Sequence, residues 1–423
     1  MELREFLNEL EKRDMLKRIK KRVGARFEAS TLMKMLDGQT LLFEDVDGNE
    51  IPVLANVCPT RKHVALGLGV EEHEIIPRMI EAIANPREPE VVKGSDYREI
   101  PADLSKLPIL TYYPFDGGPY IASGIAVCRD DELGVNASFH RAMIIDGERM
   151  VFRILERHFD AYLKRGIREF AFCVGNPVPV LLGSAISTDI GVSELAIANA
   201  LSPTRCVELD GHIVPLAEMV MICEMTDEIH DEGPFLDLTE TADIVRKQRV
   251  ARVKKIFMRE GGVYHALLPG GLEHKVLMGM PREPTIYQEV GKVCDVKDVY
   301  VTPGGCSWLH AVVGIRQRDP GDGRMALEAA FRGHRSVKHV YVVDEDIDIH
   351  DPHQVEWAMA TRFQGKRDII MLEEKGSSLD PSSDMKTRMT TKLGFDLTIP
   401  PDLGGKDFRR PDLPMKLDPD DYL

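Results

Sequence analysis

Four polar signatures carry the side chains of this chain that could do chemistry together. They are Asn136-Ala-Ser-Phe-His-Arg141, Arg157-His158, Ser193-Glu194 and Glu232-Gly-Pro-Phe-Leu-Asp237. An amide, an imidazole and a carboxylate are suitable ligands for one hard or borderline divalent ion. An arginine beside two carboxylates binds an acid and sets its protonation. The four signatures therefore predict one active site more strongly together than any of them does alone.

The first candidate set is Asn136, His158 and Glu194. Two oxygen ligands and one nitrogen ligand favour Mn²⁺ or Mg²⁺ over a structural zinc ion. Each residue alone also has an ordinary structural explanation. A histidine near a helix start is commonly a satisfied polar group, and an acid in the first helical turn commonly offsets the helix dipole. The metal site is therefore a hypothesis about the set.

The second candidate set is Arg141, Glu232 and Asp237. The Gly233-Pro234 pair favours a turn that brings the two flanking acids towards one point. An acidic surface loop is the alternative, and other acids close by in the sequence support it. Near an arginine, one carboxyl is favoured in its charged form, whereas burial and mutual repulsion favour the neutral form of the other. Such a pair keeps an acid protonated until it is needed.

Length and composition limit the class of protein to which the chain belongs. A chain of 423 residues, 43% of them hydrophobic, is expected to form two or three domains with sizeable cores. The formal charge of −15 disfavours nonspecific binding to nucleic acid or to anionic lipid. The seven cysteines lack any CxxC pair, so reduced thiols are expected. Because no signal segment or run of about 18 apolar residues occurs, we predict a cytoplasmic protein without membrane insertion.

The expected elements divide the chain into regions of different texture. Short strands and a helix over 76–83 predict a small N-terminal α/β unit. From Tyr120 the pattern becomes an antiparallel meander, in which a two-residue turn at Asp146-Gly147 would place Arg141 opposite Phe152. Helices are expected to begin at His158 and, with Ser193 as N-cap, at Glu194. After residue 281, alternating helices and strands predict a C-terminal α/β domain with a largely parallel sheet.

Taken in order and spacing, the signatures resemble the UbiD family of decarboxylases, which use prenylated FMN. The resemblance extends over nearly the whole chain. It includes three later segments, which are Val301-Thr-Pro-Gly-Gly-Cys-Ser-Trp-Leu-His-Ala-Val-Val313, Tyr341-Val-Val-Asp-Glu-Asp-Ile-Asp348 and Trp357-Ala-Met-Ala-Thr-Arg362.

The resemblance implies a role for each candidate residue. Asn136, His158 and Glu194 would ligate a Mn²⁺ that also binds the cofactor phosphate, and a K⁺ ion would bind near Ser184-Ala185-Ile186. Arg141, Glu232 and Asp237 would form the catalytic network. The other positions that align with cofactor contacts are Phe139, His140, Arg153, Ile154, Leu155 and Arg157. Arg141 of the catalytic network also aligns with a cofactor contact.

The family resemblance also implies the architecture. It predicts an α/β protein, α+β overall, with a central flavin-reductase-like split β-barrel. The barrel would occupy residues 106–282, between an N-terminal α/β domain over 1–105 and a C-terminal α/β domain with a C-terminal arm over 283–423. Dimers or hexamers are implied, and so is a flavin prenyltransferase that supplies the cofactor.

The implied reaction is a non-oxidative, reversible decarboxylation of an α,β-unsaturated carboxylic acid, with Asp237 as the proton donor. The compact length and the segment Gly304–His310 are similar to archaeal-type members, which convert trans-anhydromevalonate 5-phosphate to isopentenyl phosphate. Departures from the family pattern at Phe139-His140, Phe159-Asp160 and Leu236 leave the substrate less determined than the reaction.

Three other functions stay open. A decarboxylase of polyprenyl-hydroxybenzoate or another aromatic acid would need a long apolar channel. A simple flavin oxidoreductase on the same split barrel would not need the pair Glu232 and Asp237. A metal-dependent hydrolase using His140, His158 and Glu194 would not need a flavin.

Overall fold

The computed structural model describes residues 1–93, 96–384 and 386–400, together with positions 408, 415, 417, 418, 421 and 422. The chain forms two compact units. The first unit comprises Met1–Pro284, Val301–Trp308 and Ser378–Ser383, and the second comprises Thr285–Tyr300, Leu309–Ser377 and Asp384–Leu423. All four sequence signatures lie in the first unit.

The described residues of the first unit form eight α-helices. They are α1 Leu3–Lys12, α2 Glu28–Met35, α3 Arg61–Leu68, α4 Ile75–Ala84, α5 His158–Lys164, α6 Val178–Gly183, α7 Glu194–Leu201 and α8 Leu272–Gly279. In α1, Leu3, Phe6 and Leu10 are buried because their spacing of three and four residues puts them on one face. Helix α7 begins after Ser193, whose side chain accepts a hydrogen bond from Ala196 N.

The described residues of the first unit also form eighteen β-strands. They are β1 Leu16–Ile19, β2 Thr40–Phe43, β3 Val53–Ala55, β4 Glu90–Val92, β5 Tyr97–Ile100, β6 Tyr120–Ile121, β7 Ile125–Asp130, β8 Gly134–Phe139, β9 Ala142–Ile144, β10 Arg149–Phe152, β11 Glu169–Val174, β12 Arg205–Leu209, β13 His212–Pro215, β14 Met219–Glu232, β15 Phe235–Leu236, β16 Ala242–Asp243, β17 Arg246–Arg259 and β18 Tyr264–Ala266. An N-terminal sheet has the order β1-β2-β3-β18.

A nine-stranded sheet forms the centre of the first unit. Its order is β6-β9-β10-β17-β14-β11-β7-β8, and β5 also pairs with β17. The longest strands, β14 and β17, run antiparallel and bring Glu232 opposite Arg246. Buried aromatic side chains fill the core beside this sheet, where Phe152 contacts both Phe170 and Phe172 edge to face. This core holds the strands that carry the polar signatures.

The second unit is built around a five-stranded sheet in the order β19-β20-β21-β23-β22. Its strands are β19 Asp295–Val301, β20 His310–Arg316, β21 His339–Asp344, β22 Ile369–Lys375 and β23 Met389–Asp396, and its helices are α9 Glu283–Gly291, α10 Asp322–Gly333, α11 Pro352–Arg362 and α12 Gly365–Asp368. Strand β21 pairs in parallel with β20 and β23, whereas β22 is antiparallel to β23. The predicted parallel pairing is therefore present in the centre of this sheet, but the sheet as a whole is mixed.

The mixed α/β class is confirmed, but the split barrel is not shown. Among the described residues, the end strands β6 and β8 of the nine-stranded sheet do not pair with each other, so the sheet is not a closed barrel. Most of the predicted C-terminal arm beyond residue 400 lies outside the described residues. Within the part of the chain that the structure describes, no helix has the length and apolar character needed to cross a membrane.

Candidate active site

The side chains of Asn136, His158 and Glu194, here called the Asn136 cluster, lie together. Asn136 is on β8, and His158 and Glu194 are the first residues of α5 and α7. The amide Nδ2 of Asn136 donates to Glu194 Oε1 at 3.1 Å, and His158 Nδ1 lies 3.7 Å from the same oxygen. The backbone N–H of Ala137 donates to Glu194 Oε2 at 2.9 Å. One carboxylate therefore joins three separate elements.

Close packing of two helices holds Glu194 in this place. A Cβ atom at Gly183, the last residue of α6, would lie 2.8 Å from the carbonyl oxygen of Glu194 and 2.9 Å from Ala198 Cβ. A larger residue at position 183 would push α7 away from α6, because real Cβ atoms do not approach backbone so closely. Gly183 therefore sets the depth of the carboxylate.

In the described part of the chain, no arginine or lysine forms an ion pair with the buried carboxylate of Glu194. Burial raises the pKa of Glu194 to about 7, against the opposing effect of hydrogen bonds from Ala137 N–H and Asn136. Among the described residues, its one ion-pairing neighbour is His158. A buried carboxylate without a compensating cation is costly, and an ion at this point would remove that cost.

The donor set fits a hard or borderline divalent ion. An amide oxygen, an imidazole nitrogen and a carboxylate are available in the Asn136 cluster. Across the described positions, no group of three or more His, Cys, Asp or Glu side chains is arranged to hold a metal ion. The amide of Asn136 is thus what distinguishes this set from a site of histidines, thiols and carboxylates.

Arg141, Glu232, Asp237 and Asp243, here called the Arg141 cluster, form the second group. Arg141 Nε and Nη2 donate to the two oxygens of Glu232 at 2.9 and 3.1 Å. Nη2 also donates to Asp243 Oδ2 at 2.9 Å, and Nη1 lies 3.5 Å from Asp237 Oδ2. The Arg141 guanidinium carbon lies 4.4 Å from the centre of the Phe235 ring. The arginine is therefore fixed in direction as well as in charge.

The three carboxylates of the Arg141 cluster differ in access to solvent. The Glu232 side chain is 0% exposed, whereas that of Asp237 is 22% exposed. The hydroxyl of Tyr120 donates a further hydrogen bond to Glu232 Oε1 at 3.2 Å. Glu232 thus has its charge satisfied by Arg141 and Tyr120, and Asp237 is the carboxylate with most access to a small molecule.

Asp243 was not among the residues predicted from sequence. Burial alone would raise the pKa of Asp243, but hydrogen bonds from Arg246 and Arg141 outweigh burial and lower it to about 2. The short strand β16 carries Asp243 opposite Phe235 of β15. The one sequence signal for Asp243 is its spacing of three residues from Arg246. That signal does not distinguish it from an ordinary surface ion pair.

The two clusters are joined by hydrogen bonds through His140. Ser138 Oγ donates to Asn136 Oδ1 at 3.2 Å and lies 3.1 Å from His140 Nε2. The other imidazole nitrogen lies 3.1 Å from the carbonyl oxygen of Arg153, whose N–H donates to Arg141 O at 3.0 Å. Burial lowers the pKa of His140 to about 4, so this imidazole is neutral at pH 7.

The predicted register of the hairpin that carries Arg141 was wrong by one residue. Phe152 pairs with Ala142, and Arg153 N–H donates to Arg141 O, so Arg153 rather than Phe152 lies opposite Arg141. The turn is one residue longer than predicted, because Ile145 pairs through its N–H with Arg149 O. Arg141 and Arg153 are thus direct neighbours across the hairpin. The strand also breaks between Phe139 and Ala142, which frees Arg141 from the alternation of an ideal strand.

The remaining predicted contacts lie around this hairpin. Phe139 ends β8, Ile154 N donates to Gln248 Oε1 at 3.0 Å, and Leu155 is 49% exposed. Arg157 is exposed and precedes α5 as its N-cap. In the segment expected to bind K⁺, Ser184 Oγ is buried and has no hydrogen-bond partner within the described structure. An oxygen in that state is compatible with a cation ligand.

Comparison with known proteins identifies a family. Models of the three domains of 3-octaprenyl-4-hydroxybenzoate carboxy-lyase match the chain in order. The N-terminal domain matches residues 7–83, the Rift-related domain matches residues 86–272 and the C-terminal domain matches residues 275–397. Together the three matches extend over most of the chain.

Two archaeal relatives are similar over nearly their whole length. An anhydromevalonate phosphate decarboxylase from Methanothermobacter thermautotrophicus is 39% identical, with 94% of this chain and 97% of the relative covered. A protein of the same name from Methanocaldococcus jannaschii is 41% identical, with 92% and 96% covered.

Solved structures of the same class superpose on the chain. The UbiD-class enzyme HmfF from Pelotomaculum thermopropionicum, in complex with FMN, has a TM-score of 0.95 and 35% identity, with both chains covered completely. An evolved dimeric form of that enzyme, in complex with prFMN, has a TM-score of 0.90 and 33% identity over the same extent. The chain belongs to the UbiD family and is a decarboxylase, that is, a carboxy-lyase.

Proposed function

We propose that the protein decarboxylates trans-anhydromevalonate 5-phosphate to isopentenyl phosphate and uses prenylated FMN as its cofactor. The observation that carries the reaction type is the Arg141 cluster, in which a fixed arginine stands beside one buried and one accessible carboxylate. The relatives named anhydromevalonate phosphate decarboxylase, at 39% and 41% identity over more than nine tenths of the chain, support the substrate.

The Asn136 cluster would hold the cofactor through a metal ion. Asn136, His158 and Glu194 would ligate Mn²⁺, and the ion would bind the cofactor phosphate. The buried carboxylate of Glu194, which lacks a strong cation, supports this role. A K⁺ ion near Ser184 would complete the site. When bound, prenylated FMN supplies the electron sink that lets the bond to the carboxylate carbon break.

The side chains around the cofactor would place it. His140 presents a neutral imidazole fixed by Ser138 and Arg153, so it adds no charge beside a flavin ring. The other proposed contacts are Phe139, Arg153, Ile154, Leu155 and Arg157.

The Arg141 cluster would handle the substrate carboxylate and the proton. Arg141 faces the anionic acid while Glu232 and Asp243 fix its guanidinium plane. Loss of CO₂ leaves an electron pair on the substrate carbon, and that carbon must receive one proton. Asp237 gives this proton, because its carboxylate is the more accessible one and lies 3.5 Å from Arg141. Solvent then returns a proton to Asp237, which balances the turnover.

The decisive experiment begins with protein made together with a flavin prenyltransferase. Mass spectrometry of the released cofactor is expected to give the mass of prenylated FMN. Decarboxylation of anhydromevalonate phosphate should then be compared with that of aryl and prenyl-aryl acids. Turnover of the phosphorylated acid supports the proposed substrate, and turnover of only an aromatic acid would replace it with the alternative decarboxylase.

The same experiment also tests two alternative functions of other classes. A flavin oxidoreductase would bind unmodified FMN and release no CO₂. A metal-dependent hydrolase would keep full activity in a flavin-free preparation. The Arg141 cluster disfavours both, because neither reaction needs two carboxylates on one arginine.

The wider organisation completes the proposal. We assign residues 1–105 to an N-terminal domain, 106–282 to a cofactor-binding domain of split-barrel type and 283–423 to a C-terminal domain. Assembly as a homo-oligomer in the cytoplasm is proposed, with the dimeric form of the HmfF relative as support for self-association. Light scattering during size-exclusion chromatography measures the assembly directly.

A further inference from the structure

We propose that Glu240, Lys275 and Lys34 form an ion-pair clamp that positions Asp237 for proton transfer. The clamp residues are positioning residues, because they act through the turn that carries Asp237. The inference rests on the proton-donor role proposed above for Asp237.

Asp237 lies in a tight turn that ends at Thr241. Asp237 N–H donates to Thr241 O at 3.0 Å, and Glu240 N–H donates to Asp237 O at 2.9 Å. The hydroxyl oxygens of Thr239 and Thr241 are 2.8 Å apart. Because the backbone of Glu240 is hydrogen-bonded to the backbone of Asp237, a displacement of Glu240 also displaces Asp237, the proposed proton donor.

The backbone of Glu240 needs an external restraint. Its φ of +58° is in the left-handed region, which is unfavourable for a residue with a side chain. Lys275, which is 8% exposed, forms a short ion pair with Glu240 Oε1, and Lys34 Nζ lies 3.4 Å from Oε2. Burial alone would raise the pKa of Glu240, but these lysines lower it, so the side chain is charged. Two cations thus hold both oxygens of Glu240.

The two lysines belong to elements that are themselves tied together. Both oxygens of Asp37, which follows α2, accept a hydrogen bond from Leu272 N at 3.0 and 3.1 Å at the start of α8. Lys34 Nζ also lies 3.7 Å from Asp37 Oδ2. Asp37, Lys34, Glu240 and Lys275 therefore close a ring between α2, the acid-bearing turn and α8.

Gly270 makes the close approach possible. Its φ is +66°, and a Cβ atom there would lie 3.0 Å from both Glu240 Cγ and Leu236 Cδ2, and 3.4 Å from the carbonyl oxygen of Asp237. The segment before α8 is thus packed directly against the turn. The clamp has backbone contact on one side and ion pairs on the other.

A hydrogen bond within the turn held by the clamp determines which oxygen of Asp237 faces the arginine. Asp237 Oδ1 accepts from Leu238 N–H at 2.6 Å, which leaves Oδ2 as the oxygen 3.5 Å from Arg141 Nη1. If the turn relaxes, Oδ2 moves away from the reacting carbon. A displacement of about 1 Å at a reacting group reduces a rate by about 10²-fold. The charge of the clamp is therefore tied to turnover and not only to stability.

The test uses cofactor-loaded protein with Glu240→Gln, Lys275→Met and the double variant. Each single variant is expected to lower kcat by about 10- to 100-fold with KM and flavin content unchanged. The solvent deuterium isotope effect on kcat should rise, because proton transfer becomes the slow step. The double variant should be no slower than either single variant, since both remove the same contact.

A second readout does not depend on turnover. In the cofactor-free protein, the peptide that spans residues 237–241 should exchange its amide hydrogens faster in Glu240→Gln than in wild type. Lys275→Met should show the same faster exchange. Lys275→Arg, which keeps the positive charge, should have the exchange rate and the isotope effect of the wild type. The matched control is Lys254→Met, which removes the surface ion pair between Lys254 Nζ and Glu169 Oε2, 2.7 Å apart. This variant should change neither the exchange rate nor the isotope effect.

The outcomes separate the clamp from the proposed function. Unchanged isotope effects and exchange rates in an active enzyme overturn the clamp alone. A wild-type protein that decarboxylates none of the acids tested overturns both proposals. Loss of kcat with an unchanged isotope effect assigns the ion pair to stability and also overturns the clamp.

Discussion

The Asn136 cluster and the Arg141 cluster are neighbours that differ in their balance of positive and negative charge. In the Asn136 cluster, a buried carboxylate has only a histidine as ion-pairing neighbour among the described residues, and burial raises the pKa of Glu194 to about 7. In the Arg141 cluster, one arginine is bound by Glu232 and Asp243 and approached by Asp237. The first cluster is short of positive charge, whereas the second already contains its own counterion.

The difference indicates how each cluster is completed. A cluster short of a cation gains free energy when a divalent ion binds, so the Asn136 cluster is suited to anchor a cofactor. The Arg141 cluster is fixed before any ligand arrives, which suits a group that must meet a transition state without rearrangement. Substitutions should therefore separate loss of cofactor from loss of turnover.

The largest effect is expected from Asp237→Asn. An amide cannot give the proton, so kcat should fall by about 10²- to 10⁴-fold while flavin content stays at the wild-type level. Turnover of the loaded enzyme, measured as CO₂ release, tests this expectation. Asp231→Asn is the control, because that acid is 54% exposed and pairs with Lys247. Retention of more than one tenth of kcat would show that Asp237 is not the donor.

Arg141→Met should be the most damaging change to stability. It leaves Glu232, which is 0% exposed, as a buried charge without its arginine, at a cost of about 3–5 kcal/mol. Urea unfolding of the cofactor-free protein measures the loss. The comparison is Arg149→Met, which breaks partly exposed pairs with Asp146 and Glu228 and should cost about 1 kcal/mol or less. Equal losses would mean that the Arg141 cluster is not preformed.

Glu194→Gln should weaken cofactor binding by at least about 10-fold and leave the fold intact. Flavin content after gel filtration, with and without a chelator, is the measurement. Without metal, the variant should be no less stable than wild type, since a neutral amide needs no counterion. The exposed acid Glu208 of β12 provides the control, as Glu208→Gln. Full flavin content in chelator-treated wild type would contradict the metal anchor.

Asp243→Asn should have the smallest effect and a defined pH dependence. The folded pKa of Asp243 is about 2, below its ordinary 3.8, so its contribution is present above pH 3.8 and is lost as pH falls towards 2. The difference in unfolding free energy from wild type should be about 2 kcal/mol at pH 6 and shrink below pH 3.8. Asp227→Asn, an exposed acid, should show neither change. If the difference in unfolding free energy did not depend on pH, the charge of Asp243 would not be the cause of its contribution to stability.

Residue type and spacing alone indicated every member of the two clusters except Asp243. The helix starts at His158 and Glu194, with Ser193 as N-cap, were also readable from sequence, because capping depends on a few neighbouring residues. The Gly233-Pro234 turn between two acids was a local signal of the same kind. Local sequence signals were therefore enough to identify the candidate residues and the family that the chain resembles.

Only the tertiary structure decided how those groups are held. One extra residue in a turn placed Arg153 opposite Arg141, and strand pairing that sequence does not encode locally brought Asp243 to the same arginine. The ring of Asp37, Lys34, Glu240 and Lys275 joins residues more than 200 positions apart. Strand register and long-range ion pairs depend on the packing of the whole unit. For that reason the sequence predicts the chemical groups of this site better than it predicts the contacts that hold them in place.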